Sequence, residues 1–395
     1  MPPSPPDSTA PPADLAVIGG GAMGLFAAYH ASAAGARVIV LERGRVGDPM
    51  TASYGLTRSF RSDYLEATYA RLAEEARRGW EAFERATGAA VLVRCGCLNI
   101  AKRSVTPDLE GTYAELSHTV LTRLGLAAEA LDGPALRRRF PDLDADVGRL
   151  AVDAGIVDLQ AVRRTLQEVL AARGVEIREG IETTAIEPEA EGLRITAGDE
   201  ALLARRLVVT AGHGTNDVLA LLPDAPLQVP ITKDRPSDAK YLTPPPEARA
   251  RFEAPAMPVV AYLDTGIYCH PIVPGLTDAV KIGYYNPPDV TRRDTPVDSI
   301  ETFIAQCMPG LAGAAVRDVD DVDGCDYDLV DDDEFVLGPV PGHANAFVGV
   351  GWRGTGYKFA PWVGRVLAQL ALQDGTVYDI GRFAPARFAT TAGTV

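Results

Sequence analysis

The segment Asp14-Leu-Ala-Val-Ile-Gly-Gly-Gly-Ala-Met-Gly24 limits the architecture of this chain more than any other stretch. An apolar strand, Leu15–Ile18, runs straight into a glycine-rich turn, and an alanine-rich helix, Met23–Ala34, opens behind it. Gly35 signals the helix end, and Arg37–Leu41 reads as the next strand. In that βαβ setting, Gly19-x-Gly21-x-x-Gly24 is a dinucleotide fingerprint. Gly19 permits the tight turn, Gly21 admits a pyrophosphate against the backbone, and Gly24 lets helix and strand pack closely. The first helical residues, Ala22 and Met23, then offer N–H groups and the positive end of the helix dipole to phosphates. Glu42 ends the second strand, placed to accept ribose hydroxyls, with Arg43 beside it. An acid there disfavours a 2′-phosphate, which argues against NADP, while NAD and FAD both stay open.

One fold of this kind does not use up 395 residues, so two domains are expected. A net charge of -15 argues against nucleic acid and anionic membrane surfaces as partners. Five cysteines are too few for a disulfide scaffold, and Cys95-Gly-Cys97 lacks the spacing of a redox or zinc pair, so reduced thiols in a cytoplasmic protein are expected. Residues 1–12 carry six prolines and no signal-peptide pattern, which reads as a disordered tail. No apolar run is long enough to span a membrane. Asp318 to Glu334 holds ten carboxylates, but Val319 and Val330 stand where an EF-hand turning at Gly324 needs acids. A solvated acidic loop is the reading, and no metal site is expected.

Residues 66–86 form a second helix, with Tyr69, Leu72, Ala76, Trp80 and Phe83 at helical spacing. Residues 90–150 are mixed. Ala161–Arg173 reads as a helix, Val175–Arg178 as a strand, and Ile181–Pro188 with Leu193–Thr196 as a hairpin-like pair. Another strand, Arg206–Thr210, ends at Ala211-Gly212. From 221 to 300 prolines multiply and β-prone stretches appear, Val259–Tyr262 and Val280–Tyr285 among them; Phe347–Gly351 is a late strand and Pro361–Leu372 a terminal helix. The expected class is α/β with α+β character: a Rossmann-like nucleotide domain built from 13–75, 150–220 and 320–390, and an inserted antiparallel-sheet substrate domain from 76–149 and 221–319.

Five short motifs, Thr57-Arg58-Ser-Phe-Arg61, Gly266-Ile-Tyr268, Val280-Lys281-Ile-Gly283-Tyr, Cys325-x-Tyr327 and Gly354-Thr355-Gly356-Tyr357-Lys358-Phe, occur in an order and spacing that together are specific. On these the chain resembles the FAD-dependent amine oxidases related to D-amino acid oxidase, in the monomeric sarcosine oxidase branch, from Asp14 to about Ala384. The resemblance implies FAD, attached covalently through a thioether at Cys325. It implies that Lys281 activates oxygen near the flavin, that Arg61 and Lys358 grip the substrate carboxylate, and that Arg58 stacks by the flavin ring. Tyr268 joins them as a catalytic candidate; Thr57, Thr183, Gly212 and the loop Gly354, Thr355, Gly356, Tyr357 join the cofactor contacts. The usage of lysine agrees: only five occur against thirty-three arginines, and two of the five are Lys281 and Lys358. Lysine is a compact point charge whose pKa burial can lower, unlike arginine.

Two family histidines are replaced, by Tyr285 and Thr355, and Trp352 adds a large aromatic that is either a core residue or a surface for substrate or flavin to stack on. His270 reads as structural. A bulkier N-substituted glycine or a cyclic imino acid of the pipecolate or proline type therefore becomes the expected substrate. The expected reaction is hydride transfer from a neutral secondary amine to flavin N5, imine hydrolysis, and reduction of O2 to hydrogen peroxide, with a role in antibiotic biosynthesis implied by the resemblance. A dehydrogenase with a non-O2 acceptor and a non-catalytic nucleotide-binding protein are the alternatives. The protein is expected to be a monomer or weak homo-oligomer acting on a small amino acid.

Overall fold

The computed structural model describes residues 11–49, 51–105, 111–225, 227–234, 239–284, 299–318 and 327–389. The chain divides into two compact units, each assembled from separated segments.

The first unit comprises Met1–Tyr54, Arg163–Asp234 and Asp326–Val395. Its sheet is organised by the strand Glu200–Val209. The first half of that strand pairs antiparallel with Gly192–Ala197. Its second half runs parallel to Ala13–Ile18 on one side and to Ala346–Val350 on the other. Beyond Ala13–Ile18 lie Val38–Glu42 and Glu176–Glu179, all parallel. Strands buried on both faces read as continuous apolar runs, which is why Val-Ile-Val-Leu and Leu-Ala-Val-Ile carry no alternation. The helix Ala22–Ala33 is buried almost all round and packs against the C-terminal helix Ala360–Gln373. Gly364 makes that approach possible: a Cβ there would collide with the backbone of Phe26.

The second unit comprises Gly55–Val162 and Arg235–Cys325. Residues 55–75 and 150–162 thus lie in this unit, because Thr57–Phe60 pairs antiparallel with Gly155–Asp158. An eight-stranded sheet dominates, and three of its strands, Cys97–Ala101, Glu129–Asp132 and Val147–Ala151, come from the stretch that sequence patterning left as mixed. They are four or five residues each, too short for a clear period. The row Ile282, Cys269, Val260, Leu98 and Leu150 crosses five paired strands. All five are buried in the main apolar core of this unit, with Leu136, Phe252, Phe303 and Met308. Because successive strand residues face opposite ways, their immediate neighbours form the other face. The helix Ala67–Thr87 buries Tyr69, Leu72, Ala76, Trp80 and Phe83, and ends on Gly88 in the left-handed region.

Candidate active site

In the first unit the fingerprint turn has the geometry its glycines require. Gly19 sits at φ +108, a conformation L side chains rarely adopt, with the Thr210 carbonyl closing the space behind it. Gly21, which has no side chain, is the N-cap of the helix Ala22–Ala33, and no acid lies in the first turn, so the helix itself brings no carboxylate to compete with an incoming phosphate. Ser53 Oγ accepts the Ala22 N–H at 2.9 Å. Both Glu42 oxygens are already acceptors, for the N–H of Gly20 at 2.6 Å and of Gly44 at 2.7 Å. Each oxygen keeps a second lone-pair direction, so the carboxylate braces the turn and still has capacity for a hydroxyl. Arg43 is exposed, 3.9 Å from Glu182. Thr183 Oγ1 is a buried hydroxyl with no hydrogen-bond partner, the kind of atom a bound polar group satisfies. Gly212 lies at φ +56 after the central strand.

The lysine loop of this unit follows the strand Ala346–Val350. Gly351, Arg353 and Gly354 all take positive φ, at +81, +57 and +64. Gly354 passes under the Tyr327 ring, where a Cβ would overlap ring carbons, and Gly356 passes against Trp352 in the same way. Lys358 is buried; its Nζ donates to the Thr355 carbonyl at 2.8 Å and also contacts Thr355 Oγ1. Trp352 meets Phe335 edge-on at 5.2 Å, in the aromatic group of Phe335, Phe359 and Phe383. Tyr357 is half-buried.

Asp328 fastens the start of this loop, and nothing in the sequence singled it out. Its Oδ2 accepts the Gly351 N–H at 2.9 Å and its carbonyl accepts that of Arg353 at 3.1 Å. Burial pushes its carboxyl up to about 6, against the opposing pull of the Gly351 N–H. The folded state therefore favours the protonated acid. That contribution is full below the ordinary value near 4 and lost as pH rises through about 6. Asp328→Asn should flatten the pH dependence of stability across that window and leave the protein about 2–3 kcal/mol less penalised above it. Thermal unfolding at a series of pH values checks this; an unchanged slope would assign the titration to another group.

In the second unit, the face of the large sheet opposite the apolar core carries the polar residues. Tyr241, Lys281 and His270 are cross-strand partners in one row. Gly283, Tyr268, Ala261, Asn99 and Arg149 form the next. Directly opposed residues share a face, so register alone gathers side chains from six strands. Gly283 makes room for Tyr268: a Cβ there would lie 2.7 Å from the tyrosine oxygen. Lys281 is buried, its Nζ 5.9 Å from the Tyr268 ring centre, and the Tyr268 and His270 rings lie 5.1 Å apart. His270 Nδ1 is 2.9 Å from Thr57 Oγ1, and Arg58 donates to the Thr57 carbonyl at 3.0 Å. The histidine read as structural thus stands in the same row as Lys281.

Arg61 is buried in an ion pair, its Nη1 2.9 Å from Asp63 Oδ1, and its guanidinium lies 5.4 Å from the Tyr64 ring centre. Arg149 Nη2 approaches Asp63 Oδ2 at 2.6 Å, and Asn99 donates to the same oxygen at 3.3 Å. Burial would raise the Asp63 carboxyl, but the charges of Arg61 and Arg149 and the Arg61 hydrogen bond hold it below the usual carboxylate range. Asp63, Asn99 and Arg149 were not anticipated from the sequence. Tyr285 and Cys325 lie outside the described residues. Among the described residues no group of three potential metal ligands occurs, and no helix is long and apolar enough to cross a membrane.

A family model described as FAD dependent oxidoreductase, DAO, matches residues 14–370. The monomeric sarcosine oxidase of Streptomyces avermitilis is 29% identical, over 96% of this chain and 98% of that protein. The human peroxisomal sarcosine oxidase is 28% identical, over 95% and 96%. The N-methyl-L-tryptophan oxidase of Yersinia pestis is 26% identical, over 95% and 99%. Among solved structures, NikD, an unusual amino acid oxidase essential for nikkomycin biosynthesis, has a similar fold (TM-score 0.74, 23% identity, 95% of this chain and 98% of that one). So has the L-proline dehydrogenase of P. horikoshii (TM-score 0.77, 16% identity, 95% and 98%).

Proposed function

The chain belongs to the DAO family of FAD-dependent oxidoreductases, and from that premise we propose that it oxidises a secondary, N-substituted amino acid such as an N-alkyl or N-carboxymethyl glycine, with O2 as acceptor. The observation that carries this reading is the buried row of Tyr241, Lys281 and His270, with Tyr268 in the neighbouring row of the same face and the buried cation Arg61 in the same unit. The relatives named above act on N-methylated amino acids, by their names.

The residues fit FAD. Gly19, Gly21 and Gly24, at a helix N-terminus whose first turn carries no acid, suit its pyrophosphate; Glu42 suits a ribose; Thr183 Oγ1 is an unsatisfied polar atom in the same unit. When bound, FAD supplies the two-electron acceptor for the C–H hydride and passes those electrons to dioxygen. The chain's own residues do the rest. Arg61 attracts the substrate carboxylate, and the same role is proposed for Lys358. Fixing the carboxylate fixes which carbon is presented. Lys281 places a positive charge where dioxygen gains negative charge, in surroundings that exclude most water. The Tyr268 ring faces the Lys281 ammonium at 5.9 Å, within cation–π range.

A peroxide-release screen over sarcosine, N-alkyl glycines, N-carboxymethyl amino acids, proline and pipecolate tests the reading. Peroxide from one or more N-substituted glycines is expected. Anaerobic bleaching of the flavin without aerobic peroxide would convert the enzyme to a dehydrogenase, and activity confined to amines without a carboxylate would overturn the amino-acid reading.

The covalent attachment of FAD at Cys325 is proposed on the Cys-x-Tyr motif and its spacing to Lys358. Acid-precipitated protein should stay yellow, with an intact mass one FAD above the chain, and Cys325→Ala should release the colour into the supernatant. A colourless wild-type pellet would sink the linkage.

A further inference from the structure

The strand Tyr327–Val330 holds the start of the lysine loop, and both belong to the first unit. Asp328, 5% exposed, accepts the Gly351 N–H through Oδ2 at 2.9 Å and the Arg353 N–H through its carbonyl at 3.1 Å. The Tyr327 ring lies over Gly354, and Val330 fills the space beside Gly351, where a Cβ would come within 2.5 Å of Val330 Cγ2. The strand is itself fixed: it pairs antiparallel with Ile231–Asp234, and His213 Nε2 lies 3.1 Å from the Tyr327 carbonyl.

From Asp328 a path of hydrogen bonds leads to the ammonium group. Beyond Gly351 the Trp352 carbonyl accepts the Thr355 N–H at 3.0 Å, and the Thr355 carbonyl accepts from Lys358 Nζ at 2.8 Å. Gly351, Arg353 and Gly354 all take left-handed φ, and Arg353 does so without a glycine's freedom. Such a backbone persists only where its surroundings fix it. Asp328 bonds it at its first residue and again two residues on.

We propose that Asp328 is a positioning residue for the substrate carboxylate: by bonding Gly351 and Arg353 it sets the loop conformation that places the Lys358 ammonium. An apolar side chain there would leave the buried Gly351 N–H without an acceptor, and the loop would leave this conformation to satisfy it. Lys358 would then be in place for only a fraction of the time, and carboxylate affinity would fall by that fraction. The inference rests on the carboxylate role proposed for Lys358.

The test titrates benzoate into the purified flavoprotein, reads the change in flavin absorbance, and uses benzamide as the uncharged control. Asp328→Leu, close in size but without an acceptor, should weaken benzoate roughly 5- to 150-fold, the equivalent of one buried donor left unsatisfied, and leave benzamide unchanged. With an amino-acid substrate the same variant should raise KM and change kcat little. Asp328→Asn keeps an acceptor for Gly351 and should stay within about threefold of wild type. A larger loss there would make the charge, and not the bond to the loop, the essential property, and overturns the proposal even where Asp328→Leu fails to fold. Added to Lys358→Met, Asp328→Leu should cost little further affinity, because it acts through the lysine. A fully additive loss, or a fall in kcat at unchanged KM, marks a purely structural role and overturns the proposal. Lys358→Met alone separates the two levels. If it loses benzoate and Asp328→Leu does not, this inference fails alone. If it binds normally, or if wild type binds no benzoate, the role of Lys358 fails and the inference with it.

Discussion

Arg61→Met should lower affinity for carboxylate substrates and inhibitors by roughly 30-fold to several thousand-fold, the range expected when one cation is lost from a desolvated ion pair. The structural cost should be small. Asp63 keeps Arg149 at 2.6 Å, so no buried carboxylate is left without a cation. Melting temperature and flavin content should therefore hold while the Kd for carboxylates rises. An amine without a carboxylate should react poorly with wild type and change little in the variant. Lys358→Met, made separately, should behave in parallel; its Nζ donates to the Thr355 carbonyl at 2.8 Å. Normal inhibitor binding by both variants would remove the main support for an amino acid as substrate.

Lys281→Met should slow reoxidation of the reduced enzyme by oxygen by about a hundred- to a thousandfold, the loss typical of removing one preorganised electrostatic group from a dry site. Anaerobic reduction by the amine should change far less. The reasoning is one of sign and burial: Lys281 is 3% exposed, flanked in its row by Tyr241 and His270, with Tyr268 over it. A methionine of similar length preserves the packing and deletes only the charge. Stopped-flow measurement of the two half-reactions decides it, and equal losses in both would make Lys281 a structural or substrate-binding residue.

What could be read from the sequence was what is local or chemically rare. The turn Gly19–Gly24 is contiguous, and its meaning is fixed by strand before and helix behind. Lys281 and Lys358 stood out because the chain otherwise uses arginine. Arg149 had no such contrast. It is one arginine among thirty-three, in a five-residue strand, and it meets Asp63 and Asn99 only because two strands and a loop, separated in sequence, come together. His270 was undervalued for the same reason, since its link to Thr57 spans 213 positions. Asp328 sits in a run of carboxylates that charge patterning assigns to solvent, yet its side chain points inward while its neighbours Asp331, Asp332 and Asp333 are exposed. Composition reports the run and not the exception.

The central strand Glu200–Val209 cannot complete its pairing until Ala346–Val350 exists, and the helix Ala22–Ala33 cannot be covered until Ala360–Gln373 does. During synthesis on the ribosome, the apolar helix of the nucleotide fold therefore waits for more than three hundred further residues. At about 5–20 residues per second that is roughly 15–60 s, long against the microsecond to second scale on which small domains fold. For that interval a segment destined for almost complete burial has only its two flanking strands to pack on and lacks its main helical partner, and it is a natural client for chaperones. Cofactor loading should accordingly follow chain completion, and truncations that remove the last helix should yield aggregated, colourless protein instead of a smaller flavoprotein.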